Sequence, residues 1–307
     1  MNEFVAISLP AILIGSLAGI SCSLPGNFLL LRRQSLIGDA ISHVVLPGIV
    51  VAFLVFRSIS TWPMMIGAAG AAVVAVVMIE AIRRLGKIES GAAMGVVFST
   101  LFALGVLLLE QTDTSSVHLD VEHALFGNLE SLIWLDGWGW GALLDIQALA
   151  TLPTELSRLF IVSVLVVFAT VVFWRPLAIS TFDENFAQSL GWPVRWISFG
   201  LIIVAAISAV AAFDAVGSII VISMFICPAA IARMFTDSLA RQVWLSVAIS
   251  IFAASGGYIL AGYGPIWLGL NGSVSAAGMI AVLLGIFLGL AATFGPKRFP
   301  VSATSLD

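Results

Sequence analysis

Charge is scarce in this chain. Of its 307 residues only 10% are Asp, Glu, Lys or Arg, while 60% are hydrophobic. A soluble domain carries about a quarter charged residues, so most of this chain is surrounded by lipid or by its own helices. Mean hydropathy is +1.12, which leaves no length for a large water-exposed domain. Cysteine is nearly absent. Cys22 and Cys227 both stand in apolar segments, and a disulfide framework is not expected. No Gly-x-x-x-x-Gly-Lys-Ser/Thr occurs, which removes one route to gripping nucleotide phosphates. His-Glu-x-x-His, Cys-x-x-Cys and Gly-x-Ser-x-Gly are missing too, so intramembrane hydrolysis has no visible machinery. There is no basic face for nucleic acid. The start, Met1-Asn2-Glu3-Phe4, lacks the basic residues and cleavage site of a signal peptide, and the first apolar run reads as a retained helix.

What the chain does have is a series of apolar runs of roughly 17–25 residues, long enough to cross a bilayer as helices and about twice the length a membrane strand needs. They span 4–30 (broken at Pro25-Gly26), 36–56, 64–82, 91–109, 156–174, 196–213, 216–232, 243–262 and 275–294. The expected fold is therefore all-α, a single polytopic bundle over 1–307 with about eight or nine transmembrane helices. The turn at Phe213 to Gly217 is very short for two full crossings and is compatible with two half-helices instead. Asp214 within it reads as a turn or cap residue.

Basic residues sort to alternate loops. With the N-terminus outside and the C-terminus in the cytoplasm, eleven of the thirteen Lys and Arg fall inside, from Arg32 and Arg33 through Arg83, Arg84 and Lys87 to Lys297 and Arg298. Only Arg57 and Arg158 fall outside. That bias is what the positive-inside rule describes.

Two non-membrane segments have distinct characters. The outer loop, about 110–155, holds eight acidic residues and two histidines but no Lys or Arg. Within it His118, Asp120, Glu122 and His123 have metal-ligand chemistry at close spacing, and the bland reading is an acidic entrance surface that concentrates cations. The Trp-Gly alternation from Trp134 to Trp140 suggests helices lying at the interface, where Trp is favoured. The inner segment, about 181–191, reads as a short helix. Asp183 and Glu184 fall in its first turn, and Gly191 and Pro193 stop it. Phe182, Phe186 and Leu190 recur every four residues, which predicts an apolar face turned to the cytosol. Its acidic residues argue against anionic lipid and favour a docking helix for a cytosolic partner.

One polar anomaly remains inside an apolar run. Gly38-Asp39-Ala40-Ile41-Ser42-His43 places a carboxylate and an imidazole four residues apart, on one side of a helix. Ionisable groups at membrane depth are costly and mark paths for ions or protons. Both are ordinary first-row metal ligands. Two from one chain leave a site incomplete, to be finished by solvent or a second chain. The competing reading pairs Asp39 with Arg32 or Arg33 and leaves His43 bonding between helices. From the second run's inner end His43 is about 10 Å along at ~1.5 Å per residue, which weakens that reading more for His43 than for Asp39.

Motifs along nearly the whole chain carry a resemblance. Leu31-Arg32-Arg33, Leu36 to His43, Leu46-Pro47-Gly48, Gly95 to Gly105, Leu125-Phe126-Gly127-Asn128, Phe182 to Ala187 with Leu190-Gly191, Val216-Gly217 and Pro228 to Arg233 are similar to the permease subunits of metal-ion ABC importers. That family takes up manganese, zinc or ferrous iron with a separate ATPase and a solute-binding protein. The resemblance implies that Asp39 and His43 contact the metal in the translocation path and that Phe182, Asp183, Glu184, Phe186, Leu190 and Gly191 dock on the ATPase. It also implies alternating access, a divalent ion as substrate with no permanently bound cofactor, and ATP used only through the partner. Two permease subunits, identical or homologous, are expected in a bacterial cytoplasmic membrane. The stretch Gly137 to Glu155 is longer than the family pattern leads one to expect. A different class of function, a stand-alone proton-coupled transporter or channel using Asp39 and His43 as a relay, is the alternative.

Overall fold

Helix is what a lipid-facing chain must form, because backbone groups have no other partner in hydrocarbon. A computed structural model describes residues 4–57, 61–111, 127, 129–137, 139–267, 269 and 274–296, apart from the side chains at 36, 39, 41–43, 45, 46, 61, 62, 65, 84, 90, 109, 111 and 214. After a π-helical turn at Phe4–Ser8 come α1 (Leu9–Leu31), α2 (Leu36–Phe56), α3 (Thr61–Gly86), α4 (Ser90–Gln111), the short α5 (Ile146–Ala150), α6 (Thr154–Val172), α7 (Trp174–Phe182), α8 (Glu184–Ser189), α9 (Val194–Phe235), α10 (Leu239–Trp267) and α11 (Ala276–Phe294). Among the described residues there is no strand. Eight helical spans among the described residues are long and apolar enough to cross a membrane, two of them in α9; α2, 21 residues long, is the remaining apolar run of the sequence, only partly described.

α1 does not break at Pro25-Gly26. It runs unbroken through both residues, with Pro25 inside it. One lost backbone bond is tolerable where neighbouring helices re-satisfy the freed groups, and Gly26 serves a different purpose. A Cβ there would stand 2.2 Å from the backbone oxygen of Phe225, so Gly26 lets α9 lie directly on α1. The same pair of helices is flanked by α10 and α6. Between α1 and α10, Asn27 Nδ2 donates to Ser246 Oγ at 2.7 Å and Gln242 Nε2 donates to Asn27 Oδ1 at 3.0 Å. All three are fully buried, the kind of polar contact that holds membrane helices together.

The 42 residues of α9 would reach about 63 Å if straight, twice the hydrocarbon thickness of about 30 Å. Gly217, at φ 77 and ψ 167, divides them. Ser198 lies beside Arg32 at the end of α1. Val210 and Phe213 cluster deeper, with Ala68 and Ile49. Phe225 is back against Gly26 and Gly38. The second arm therefore returns along the first, as two crossings, Val194–Phe213 and Ala215–Phe235, rather than two half-helices. Gly127, at φ +69, sits on this break, and a Cβ there would lie 2.3 Å from the Val216 carbonyl carbon. Asp214 has helical backbone just before the break; its side chain lies outside the described residues.

The described part of the outer loop is only partly interfacial. Trp134, expected there, is 1% exposed and packs with Val5 and Ala148. Its indole Nε1 donates to Ala148 O at 2.8 Å and to Thr151 Oγ1 at 3.2 Å. A buried indole needs a partner for its N–H, and the stretch 137–155 supplies it. Trp140 by contrast stays exposed.

Candidate functional site

α2 is clamped against its neighbours through close contacts at small residues, its own and theirs. Against α9, a Cβ on Gly38 would come within 2.9 Å of the Phe225 ring. Along α3, Gly48 and Gly67 meet backbone to backbone, and a Cβ on Gly48 would lie 2.5 Å from the Gly67 oxygen. From α4, Gly105 abuts Pro47 at 2.8 Å by the same measure. Ile37, Ala40 and Val44 are buried among these contacts. The backbone at 39 and 43 is helical within this clamped segment, one turn apart. The side chains of Asp39 and His43 lie outside the described residues, as do His118, Asp120, Glu122 and His123 entirely. Among the described residues no group of three or more His, Cys, Asp or Glu comes together.

The inner segment folds differently from its spacing. Asp183, at φ −146 and ψ 98, ends α7 and caps α8, accepting from Phe186 N–H at 2.8 Å. Phe182 thus ends one helix, Phe186 lies on the next, and Leu190 follows the last turn. The three do not share one helix, because an Asp side chain that satisfies a helix N-terminus takes extended backbone. They are nonetheless 60%, 50% and 49% exposed. Gly191 stops α8 as expected. At φ +80 it donates to Gln188 O at 2.9 Å while Trp192 N–H reaches Ala187 O at 3.2 Å, the paired bonds of a Schellman turn.

Between this corner and α2 lies a cavity of about 590 Å³, walled by Ile37 and Ala40 of α2, Glu80 of α3, Glu184 and Gln188 of α8, and Ser198 of α9. Glu80 is bridged by Arg83 at 2.9 Å. Beside the cavity stands Arg32. Its Nε donates to Thr181 Oγ1 at 3.0 Å, and its two terminal nitrogens donate to Ser198 Oγ at 2.7 Å and Ser180 Oγ at 2.8 Å. Burial pulls the Arg32 pKa down, and the Glu184 carboxylate pushes it back up. The hydroxyl partners were not foreseeable: a Ser-Thr pair before a cap carries little signal alone.

A long helical bundle with internal clamps and an uncovered apolar corner at one end has the architecture of a transporter's membrane subunit. The chain belongs to the ABC 3 transport family, whose pattern matches residues 5–136 and 142–294. The interruption takes in only 137–141 of the stretch Gly137 to Glu155, and 142–155 lies within the match. It is 37% identical to the manganese transport system membrane protein MntD of Bacillus subtilis over 92% of this chain and 90% of that one. With the zinc transport system membrane protein TroD of Treponema pallidum it shares 34% over 95% and 75%, and with the chelated iron transport system membrane protein YfeD of Yersinia pestis 31% over 79% and 73%. Among solved structures, PsaBC from Streptococcus pneumoniae in complex with Fab superposes with a TM-score of 0.73 at 28% identity, covering 94% of this chain and 91% of that one. The protein is thus a multi-pass membrane permease subunit of a metal ABC transporter family, and not itself the ATPase.

Proposed function

We propose that this chain is the membrane-spanning subunit of an ATP-driven importer for a divalent first-row metal ion, manganese, zinc or iron, in a bacterial cytoplasmic membrane. Its N-terminus faces outward and its C-terminus the cytoplasm, the arrangement that gathers the basic loops inside. An extracytoplasmic binding protein delivers the ion. Asp39 and His43 hold it transiently, a carboxylate oxygen and an imidazole nitrogen being acceptable to all three metals. A second permease copy or homologue brings a further pair of ligands. ATP binding and hydrolysis in the cytosolic partner then move the corner formed by Phe182, Asp183, Glu184, Phe186, Leu190 and Gly191, and α2 opens to the other side.

The observation that carries this reading is the family match along nearly the whole chain, with Asp39 and His43 on a helix clamped by three neighbours. Clamping suits a site meant to change only when whole helices move. Proteoliposomes holding this chain, its ATPase and its binding protein provide the test. Asp39→Ala and His43→Ala are each expected to lower metal uptake by more than the roughly 10–100-fold that an outer-shell partner is worth, while the complex assembles and hydrolyses ATP. Normal uptake in both variants overturns the site. Transport by the chain alone, without nucleotide, overturns the ABC mechanism.

A further inference from the structure

We infer that Arg32 is the positioning residue that ties the docking corner to the helix carrying Asp39 and His43, so that the two move as one. The inference rests on the function proposed above and adds the connection between its two sites.

The guanidinium has five donors in a planar fork, and here all three nitrogens are used. Two bonds go to Thr181 and Ser180 in the last turn of α7, and one goes to Ser198 in the second turn of α9. Bonds from every nitrogen of a rigid plane fix its tilt as well as its position. The acceptors are themselves held. Thr181 Oγ1 donates to Leu177 O at 2.6 Å and Ser180 Oγ to Pro176 O at 2.6 Å. Each hydroxyl has spent its proton on α7, and its lone pairs are what remain for Arg32. α7 ends at Phe182 and α8 is capped by Asp183, so no slack separates these hydroxyls from the exposed aromatic corner.

The other side of Arg32 is equally tight. Its N–H bonds Phe28 O at 3.0 Å, Arg33 N–H bonds Leu30 O at 3.0 Å and Gln34 N–H bonds Leu29 O at 2.8 Å. Ile37 N–H then reaches Gln34 O at 3.0 Å, which leads directly into α2. From Arg32 the chain needs only one compact turn to reach Asp39. A displacement of the α7–α8 corner thus passes through the guanidinium to the α1–α2 turn. Lysine cannot replace it, because a single ammonium on a flexible stem is a point charge without the fork.

The test uses the assembled complex in proteoliposomes. Arg32→Lys and Arg32→Gln remove the fork; Ser180→Ala with Thr181→Ala removes the acceptors and keeps the cation. Expected in all three is an assembled complex with basal ATP hydrolysis within about twofold of wild type, a difference worth only a few tenths of the energy of one such bond. Metal moved per ATP is expected to fall more than about tenfold, the size set by loss of a charged hydrogen bond. Stimulation of hydrolysis by the metal-loaded binding protein is lost with it. A wild-type ratio of metal to ATP in Arg32→Lys and in the double variant overturns the inference. So does a parallel loss of assembly, hydrolysis and uptake, which marks a merely structural role. If instead the wild-type complex shows no ATP-dependent uptake, or Asp39→Ala and His43→Ala transport normally, the underlying function has failed and not the strut.

Discussion

At one end of the bundle the chain turns twice with the same backbone device in opposite surroundings. Between α1 and α2, Gln34 N–H bonds Leu29 O at 2.8 Å and Arg33 N–H bonds Leu30 O at 3.0 Å. After α8, Trp192 bonds Ala187 and Gly191 bonds Gln188 in the same pattern. Phe28, Leu29 and Ile37 around the first turn are buried, and Arg32 there is bonded through all its nitrogens. Phe182, Phe186 and Leu190 around the second are about half exposed or more. Identical hydrogen bonding thus serves two ends. The first corner is completed by this chain, and the second presents an apolar surface for something else to complete.

The largest effect is expected from attacking the completed corner. Gly26→Ala, two residues before Phe28, places a methyl 2.2 Å from Phe225 O and 3.0 Å from Phe225 C. Backbone cannot swing aside as a side chain can, so α9 must back off from α1. Overpacking of this kind costs roughly 1–3 kcal/mol and occasionally more, and here it is expected at the upper end. The thermal midpoint and the monodisperse yield of the purified permease are the measurements. An unchanged midpoint would mean that the α1–α9 contact is not as close as the structure shows.

The long helices were largely legible beforehand, because length and apolarity are local properties that hydrocarbon enforces. The runs at 64–82, 91–109, 156–174, 243–262 and 275–294 correspond to α3, α4, α6, α10 and α11 within a few residues. What misled was residue type without context. Pro25 signalled a break, but its cost is one hydrogen bond, whereas Gly26 beside it is there for Phe225, far along the chain. Trp134 signalled an interface, but a carbonyl at Ala148 made burial possible. The spacing of Phe182, Phe186 and Leu190 picked out the right exposed trio and the wrong single helix, because Asp183 caps rather than continues. Asp39 and His43 stand out in the sequence by residue type and spacing alone, and their role rests on the proposal made above. Nothing in one chain's sequence names further ligands for the proposed site, because solvent or a second copy leaves no mark on it.

The exposed corner gives a smaller effect that separates cleanly from folding. Phe186→Asp with Leu190→Ser is expected to leave the permease's thermal midpoint unchanged, since both side chains already meet solvent. Association with the cytosolic ATPase is expected to weaken by about 2 kcal/mol or more, the level of an aromatic hot spot, read by co-purification and titration. Retained association would show that the apolar corner is completed by something other than the ATPase.

The finest comparison exchanges the turn residues themselves. Arg33 holds φ 58 where Gly191 holds φ +80, and a left-handed conformation costs a residue with a Cβ roughly 1–2 kcal/mol. Gly191→Ala is expected to cost about 1 kcal/mol of local order. With no heavy atom within 4 Å of the added methyl, that cost is purely conformational and is confined to the turn after α8. It should appear as faster amide exchange across α8 with the global melting midpoint little changed. Arg33→Gly relieves the same strain in the buried corner. The gain is partly offset because glycine loses more freedom on folding, so a net change within about 1 kcal/mol is expected, read as a small upward shift of the melting midpoint. The two exchanges should therefore report on different levels of the structure, local at Gly191 and global at Arg33. If both moved only the exchange of their own turn, strain at Arg33 would be absorbed within its turn just as strain at Gly191 is.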